Sequence, residues 1–376
     1  MIPFNNPHYT GKELEYIADA MTRKKIAGDG FYTKACEKFF CEKYGFEKVF
    51  LTTSCTDALE LAALLIDTKP GDEIIMPSYT FVSMANAFLL RGAKIVFADS
   101  NIHNPNIDVE KIEALITPLT KAIVIVHYAG IASDMERIKA ITEKHGLFLI
   151  EDAAQAIDSY YNDKPLGSFG HLAAFSFHET KNVSCGEGGL LVINDKRFFK
   201  RAEIIREKGT NRSAFFRGEV DKYNWVDIGS SFLPSDILAA FLYSQLQNIT
   251  AIQTKRKLIW DTYYTGLIEL EKKGLVKLPS LPPYASNNAH IFYMVLKDLE
   301  AQTKYIAYMK ANQVQTVFHY IALHTSPFYK DHHDERILPM VEVYQDCLVR
   351  LPLFYDLSIN EVNKIIALTH QFFAEI

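Results

Sequence analysis

What this 376-residue sequence lacks is a useful first guide to it. It has no apolar run long and charge-free enough to span a bilayer, so membrane insertion is not expected. Gly/Ser tracts, Pro-rich spacers, long charge runs and short-period repeats are missing, which argues against linker-joined modules and solenoids. Cysteine is scarce. Cys36, Cys41, Cys55, Cys185 and Cys347 are scattered and odd in number, which suits neither a disulfide scaffold nor a zinc knuckle. A reducing cytoplasm fits that usage. Basic charge is not in excess: the formal net charge is -5, and nothing favours nucleic acid as a partner. The start, Met1-Ile2-Pro3-Phe4-Asn5, has neither a basic leader nor an apolar run, so no signal peptide is expected. A P-loop and a His-Glu-x-x-His helix are absent. No G-x-G-x-x-G follows the first strand: Gly28-Asp29-Gly30 precedes it, and Gly186-Glu187-Gly188-Gly189 leads into a strand instead of a helix. A Rossmann dehydrogenase is thereby disfavoured.

What is present belongs to a large globular protein. Hydrophobic residues make up 48% and charged residues 23%, and the length suits a large domain plus a smaller one. Twenty tyrosines and twenty-five phenylalanines suit broad buried surfaces, a subunit interface included. An arm of ten residues leads to helical periodicity over 11–26 and 33–44. Short Val/Ile/Phe-rich strands then alternate with helices: strands near 49–52, 73–76, 94–98, 122–126 and 147–150, helices near 58–65, 81–90, 108–116 and 134–145. Two more strands follow at 172–177 and 189–193. This alternation predicts an α/β fold with a mostly parallel sheet covered on both faces. A long helix over about 235–270 leaves it. The expected division is 1–250 for the large domain with its arm and 251–376 for a smaller α+β domain. In the latter, 291–296, 302–311 and 314–319 read as elements before a last helix at 358–373.

Two strand ends draw attention because ligands of open parallel sheets sit beyond the carboxyl ends of the strands. Asp152, in Glu151-Asp152-Ala153-Ala154-Gln155, follows the strand at 147–150. It could face a bound group, and as a helix cap it would look the same. Lys181, in Phe175-Ser176-Phe177-His178-Glu179-Thr180-Lys181-Asn182, follows the strand at 172–177. A lysine held in a pocket there can lose its proton and form a Schiff base; an ordinary surface lysine is the plainer reading of its position. Ser54-Cys55-Thr56 lies between a strand and a helix, where free amides and hydroxyls cap the helix or cradle a phosphate. Phe81 could cover an aromatic cofactor or belong to the core. Together, a carboxylate for a pyridinium nitrogen, a helix terminus for a phosphate and a lysine for an aldehyde fit one chemistry.

These residues stand in longer blocks that resemble the DegT/DnrJ/EryC1 family of pyridoxal-phosphate-dependent sugar aminotransferases over essentially the whole chain. The blocks are Gly28-Asp29-Gly30, Ser54-Cys55-Thr56-Asp57-Ala58-Leu59, Pro77-Ser78-Tyr79-Thr80-Phe81-Val82-Ser83, Val126-His127-Tyr128-Ala129-Gly130, and the segments holding Asp152, Lys181 and Gly186–Gly189. The resemblance implies the aspartate aminotransferase type I fold, with pyridoxal 5'-phosphate as cofactor and pyridoxamine 5'-phosphate in the cycle. It implies Lys181 as the Schiff-base lysine and Asp152 as partner of the ring nitrogen. Gln155 would lie near the phenolic oxygen, Phe81 would stack on the ring, and Cys55, Thr56 and Ser176 would hold the phosphate. His178 would be nearby without an assigned role. Many relatives bring an asparagine from the neighbouring subunit before the Ser/Thr-Asp of a helix. Here the stretch is Gly229-Ser230-Ser231-Phe232-Leu233-Pro234-Ser235-Asp236, with Ser230 or Ser231 in its place.

The resemblance also implies a homodimer with active sites at its interface, L-glutamate as amino donor and a dTDP-linked keto sugar as acceptor. The segments 206–223, His319-Tyr320 and Leu323-His324 resemble members that aminate C4 of dTDP-4-dehydro-6-deoxy-D-glucose, giving dTDP-4-amino-4,6-dideoxy-D-galactose and 2-oxoglutarate. Such sugars serve cell-surface polysaccharides such as enterobacterial common antigen or O-antigen. Gly28, Asp29, Arg212, Arg217, His319, Tyr320 and His324 are the candidates for the substrate; a surface loop at 206–223 and a histidine cluster or subunit contact at 319–324 are the plainer readings. Other products are the 4-epimer, a C3 amine or a UDP-linked sugar. A sugar dehydratase of this fold would carry histidine where Lys181 stands, and a non-catalytic cofactor-binding regulator is the remaining alternative. No metal is expected at His332-His333.

Overall fold

The computed structural model describes residues 1–375. Its centre is a seven-stranded sheet in the order β1-β9-β8-β5-β4-β2-β3. These strands are β1 (Lys48–Thr52), β2 (Glu73–Pro77), β3 (Lys94–Ala98), β4 (Thr120–Val126), β5 (Phe148–Asp152), β8 (Leu172–Ser176) and β9 (Gly189–Ile193); β6 (Tyr160–Tyr161) and β7 (Lys164–Pro165) form a separate small hairpin. Only β9 runs against its neighbours, pairing antiparallel with β8 and β1. The four other pairings are parallel. The expected mostly parallel sheet is therefore present, with one reversed strand.

Helices cover both faces. α1 (Glu13–Thr22) and α2 (Phe31–Tyr44) pack on α9 (Asp236–Gln247), while α3 (Cys55–Leu65) packs on β8, β9 and α4 (Val82–Leu89). α5 (Val109–Ile112), α6 (Met135–His145), α7 (Phe199–Arg206) and α8 (Arg212–Phe216) complete this part. Because both faces are covered, the strands read as continuous apolar runs; Ile74, Ile75, Met76, Ala122–Ile125 and Leu190–Ile193 are essentially inaccessible.

The segment at 235–270 is two helices. α9 ends at Gln247 and α10 (Ile249–Lys272) begins after Asn248. Asn248 has φ -108° and ψ 7°, and its side-chain amide donates to the Ser244 carbonyl at 2.9 Å. Such local side-chain bonding competes with helical geometry, and periodicity alone does not reveal it. α10 then packs against α13 (Ile359–Ala374), with β10 (Phe292–Val295), β11 (Leu348–Leu351), α11 (Leu299–Ala311) and α12 (Pro339–Cys347) beside them. The 314–319 segment forms only single bridges, Ile2 to Val314 and Val317 to Arg350. The first of these also ties the N-terminal arm down: the Ile2 amide donates to Gln313 O at 2.8 Å. Tyr263, Tyr305 and Phe292 are fully buried in this smaller core. Each contributes about 1.5–3 kcal/mol by leaving water.

Since six strands run the same way, their carboxyl ends share one edge of the sheet. Gly189 starts β9 at that edge, directly under the turn that opens α3. A Cβ there would overlap the Ser54 carbonyl and the Cys55 amide nitrogen. Gly189→Ala is therefore expected to destabilise the protein by about 1–3 kcal/mol through overpacking, measured by urea denaturation.

Candidate active site

At that edge lies a cavity of about 540 Å³. Its polar wall comes from three strand ends. Asp152 closes β5, Ser176 closes β8, and the turn after β1 supplies Ser54, Cys55 and Thr56 at the start of α3. Lys181 enters from the loop between β8 and β9, and Phe81, Gln155, His290, His319, Tyr320 and Arg350 also line the space.

Strand alternation separates the two acids of Glu151-Asp152. Glu151 turns away from the cavity and is fully buried. It accepts from the amides of Gly167, Phe169 and Gly170 at 2.8, 2.8 and 2.6 Å, and lies 3.0 Å from His127 Nε2. Burial would raise its carboxyl, but His127 and these amides hold it below the ordinary value. Asp152 turns inward. One carboxyl oxygen accepts from the Ala154 amide at 3.0 Å, and among the described residues no cation is within ion-pairing distance. Burial raises its pKa, with Ala154 and Lys181 opposing.

Lys181 has no side-chain hydrogen bond or ion pair among the described residues, and burial lowers its pKa. Its backbone is held more firmly. The Lys181 amide donates to His178 O at 2.9 Å, and Asn182 donates to Gln253 Oε1 and Asn288 O, both at 2.8 Å. Asn182 Oδ1 meets His290 Nδ1 at 2.8 Å. Gln155 is fixed at both ends: it accepts from the Ala129 amide at 2.7 Å and donates to Tyr320 OH at 3.1 Å. Tyr320 stacks on His319 with centroids 3.6 Å apart, and His319 Nδ1 lies 2.6 Å from Tyr128 OH. At the start of α3, the Ser54 hydroxyl accepts from the Asp57 amide at 3.0 Å and Thr56 donates to Ser83 at 2.8 Å. Phe81 is 57% exposed for so large an apolar ring, and its exposed ring lines the cavity.

Other candidates stand elsewhere in the single chain. Asp29 accepts two bonds from Arg206 Nη2, at 2.6 and 2.8 Å, and Gly28 packs on Leu233 and Pro234. His324 is buried 2.8 Å from the Ser78 hydroxyl, bracing the loop that carries His319 and Tyr320. Arg217 is engaged by Glu203 and Glu219, at 3.0 and 2.6 Å, and Arg212 lies over Phe216. Ser231 bridges to Glu207 on an exposed segment. Sequence reasoning passed over Phe4, His290 and Arg350, which line the cavity. Arg350 had a signal: it is the one charge in the apolar strand Leu348–Leu351. Phe4 and His290 had none, since they arrive by long-range packing.

A buried carboxylate with a free oxygen, a half-buried lysine without a partner among the described residues and open amides at a helix start on one cavity fit pyridoxal phosphate: ring nitrogen, carbonyl and phosphate each find a suitable group. Among the described residues no cluster of three or more His, Cys, Asp or Glu could hold a metal, and no helix is long and apolar enough to cross a membrane.

The family described as DegT/DnrJ/EryC1/StrS aminotransferases matches residues 7–369. The chain is similar to a solved aminotransferase from Streptoalloteichus hindustanus, with 26% identity, a TM-score of 0.91, and 100% of this chain and 99% of that chain covered. It is similar to a sugar aminotransferase from Streptococcus pneumoniae in its PMP form, with 25% identity, a TM-score of 0.93 and complete coverage of both chains. That protein is also solved in a PLP form. A DegT DnrJ EryC1 StrS aminotransferase from Brucella abortus is 29% identical, with a TM-score of 0.87 over 96% of this chain and 95% of that one.

Burial makes Asp152 a test of the site. The folded, cofactor-free protein holds the Asp152 proton more tightly than the unfolded chain does. Stability from this group is thus full at low pH and falls as pH rises past the ordinary value of 3.8. Asp152→Asn is expected to flatten that fall in urea denaturation of the cofactor-free protein at several pH values. In the loaded protein it should cost roughly 100-fold or more in turnover.

Proposed function

The chain belongs to the DegT/DnrJ/EryC1/StrS aminotransferase family, whose members depend on pyridoxal phosphate, and from that premise we propose that it moves the amino group of L-glutamate to C4 of dTDP-4-dehydro-6-deoxy-D-glucose, giving dTDP-4-amino-4,6-dideoxy-D-galactose and 2-oxoglutarate. The observation that carries the reaction class is the pairing of half-buried Lys181 and buried Asp152 on one cavity at the start of α3. The nucleotide sugar rests on the likeness of 206–223 and 319–324 to members that act on it.

When bound, pyridoxal phosphate supplies an electron sink for the carbanion left by loss of the Cα proton. The residues of this chain do the rest. Lys181, kept from full hydration and below the usual lysine range, takes that proton from the donor and later returns one to C4 of the acceptor. Asp152 opposes a positive ring nitrogen and so holds it protonated. The first amides of α3, with Thr56 and Ser176, receive the phosphate. Gln155, fixed by Ala129 and Tyr320, presents its amide beside the ring. The face from which Lys181 returns its proton decides whether the C4 amine is axial or equatorial.

The visible absorbance of the loaded protein is expected to fall on adding L-glutamate and to return on adding the keto sugar. Lys181→Ala should abolish both changes and lower turnover more than about 1,000-fold. Return with a UDP-linked or 3-keto sugar instead would move the acceptor and keep the class. Reaction with no acceptor at all would favour a regulator.

A homodimer completes this reading. Its support is the exposed aromatic segment around Phe216, Tyr223 and Trp225, the last 83% exposed. A lone chain has no use for an indole so placed. Ser231, Arg212 and Arg217 belong to the same segment and would reach a partner's cavity. Light scattering should give twice the 42.8 kDa chain mass, and Trp225→Glu should shift the species towards monomer.

A further inference from the structure

His290 stands just before β10, with its backbone and one ring nitrogen fixed. Its amide donates to Asn288 Oδ1 at 3.0 Å, and its carbonyl accepts from Arg256 Nη2 at 2.6 Å. Its Nδ1 lies 2.8 Å from Asn182 Oδ1. The hydrogen in that contact can be placed. The Asn288 carbonyl can only accept, and both Asn182 Nδ2 and Gln253 Nε2 reach it, at 2.8 and 3.3 Å. Gln253 Oε1 therefore accepts the second hydrogen of Asn182 Nδ2, at 2.8 Å. Asn182 Oδ1 is then an acceptor, and His290 Nδ1 carries the hydrogen. A neutral imidazole has only one. Burial, with Lys181, Arg256 and Arg350 nearby, keeps this ring neutral. Nε2 is thus a bare lone pair, without a partner among the described residues. His290 is only 5% exposed, yet this nitrogen is not closed off from solvent as the Arg350 Nε is. The ring lines the cavity, so the bare nitrogen opens onto it.

We propose that His290 Nε2 accepts a hydrogen bond from the Lys181 amine whenever that amine is not bonded to the cofactor, which makes His290 a positioning residue for the proton transfers. The inference rests on the aminotransferase reading above. Two observations join the groups. Lys181 precedes Asn182, so the bond that sets the imidazole also sets the loop of the lysine. Lys181 has hydrogens to give and no acceptor among the described residues, and its charge is felt at the imidazole. A free amine turns about its last bond, and its one lone pair must point at the Cα–H bond to take the proton. An N–H given to Nε2 fixes that direction. The amine then becomes an ammonium, an ion that burial and Arg350 make costly. A neutral acceptor in contact with it lowers that cost, so a base weakened by its surroundings regains affinity as the proton arrives. The imidazole keeps its single hydrogen throughout, and the proton load of the pair changes only at Lys181.

Two variants separate the ring nitrogens. His290→Asn puts an amide nitrogen where Nδ1 stands, so it keeps the bond to Asn182 and loses the acceptor. His290→Gln keeps an acceptor near the place of Nε2 and gives up the bond to Asn182. In the cofactor-free proteins, the titration of Lys181 is read from the pH dependence of its acetylation by acetic anhydride, with mass spectrometry of the peptide. Asp152, Cys55, Arg350 and His319, the other titratable groups around the pair, are unchanged in both variants. The bond favours the charged amine, so His290→Asn should move the midpoint to lower pH. In the loaded proteins, stopped-flow absorbance should show His290→Asn slowed roughly 10- to 100-fold with L-glutamate and with the keto sugar alike. His290→Gln should be slowed less, although urea denaturation should find it the less stable of the two. An unmoved midpoint in His290→Asn would overturn the proposal and leave the bare nitrogen to Arg350 or to a ligand. Wild-type rates in His290→Asn, or a greater loss in His290→Gln, would also overturn it, since the ring would then act through Asn182 alone. A wild type inert to amino acids fails the aminotransferase reading, and the acetylation comparison still decides for or against the hydrogen bond.

Discussion

Everything at the site depends on holding a carboxylate and an amine in the same cavity without letting them neutralise each other. Had Asp152 and Lys181 met, neither would be free for a ligand. The sheet prevents this by register. Asp152 is fixed at the end of β5, opposite Val126 of β4, with its carbonyl taken by the His127 amide. Lys181 is five residues past the end of β8, in a loop that must return to Gly189 beside Ser176. The cost of keeping a buried carboxyl group and a half-buried amine apart is carried by the rest of the fold. Glu151, the residue beside Asp152, spends both its oxygens on three amides and His127, anchoring the strand end from the opposite face.

The same economy joins the smaller part to the sheet. Asn288 donates to the carbonyls of Gln155 and Ile157 at 2.8 Å each, and it lies against Gly130, where any Cβ would overlap its amide. Arg256 of α10 donates to Ala289 and His290 carbonyls at 3.1 and 2.6 Å. Since Asn182 bonds the Asn288 carbonyl and the His290 ring, the loop of Lys181 is set from the smaller part as well as from the sheet. A shift between the two parts would therefore move the lysine. That coupling is a physical reason for so much buried polar chemistry here, because each bond is made in a medium where leaving it unmade is expensive.

The sheet was legible because covered parallel strands leave apolar runs at regular spacing, and Asp152 and Lys181 because they stand just beyond two of those runs. What could not be read depends on contacts between residues far apart in the chain. Asn248 breaks a periodic helix by a local hydrogen bond that hydropathy does not register. Val314 and Val317 make one bridge each, so an apolar stretch that looks like a strand never becomes one. Phe4 reaches the cavity only because Ile2 pairs beside Gln313 and Val314, more than 300 residues away in sequence. Arg350 was readable in principle as a charge at an inner strand position, but the chemistry of a position inside a strand depends on what faces it, and that is a property of the fold.

The charges of the cavity wall have a consequence of their own. Among the described residues its charged groups are Asp152, the more exposed Glu187, Lys181 and Arg350, with the positive end of α3 beside them. His290 and His319 add no charge, because burial beside Lys181 and Arg350 keeps both neutral. The start of α3, with its open amides, is the part of this wall that favours an anion. A phosphate at the start of α3 would lower the energy of the protein that holds it. Charge held partly away from water costs a fold stability, and a bound phosphate that meets such charge offsets part of that cost.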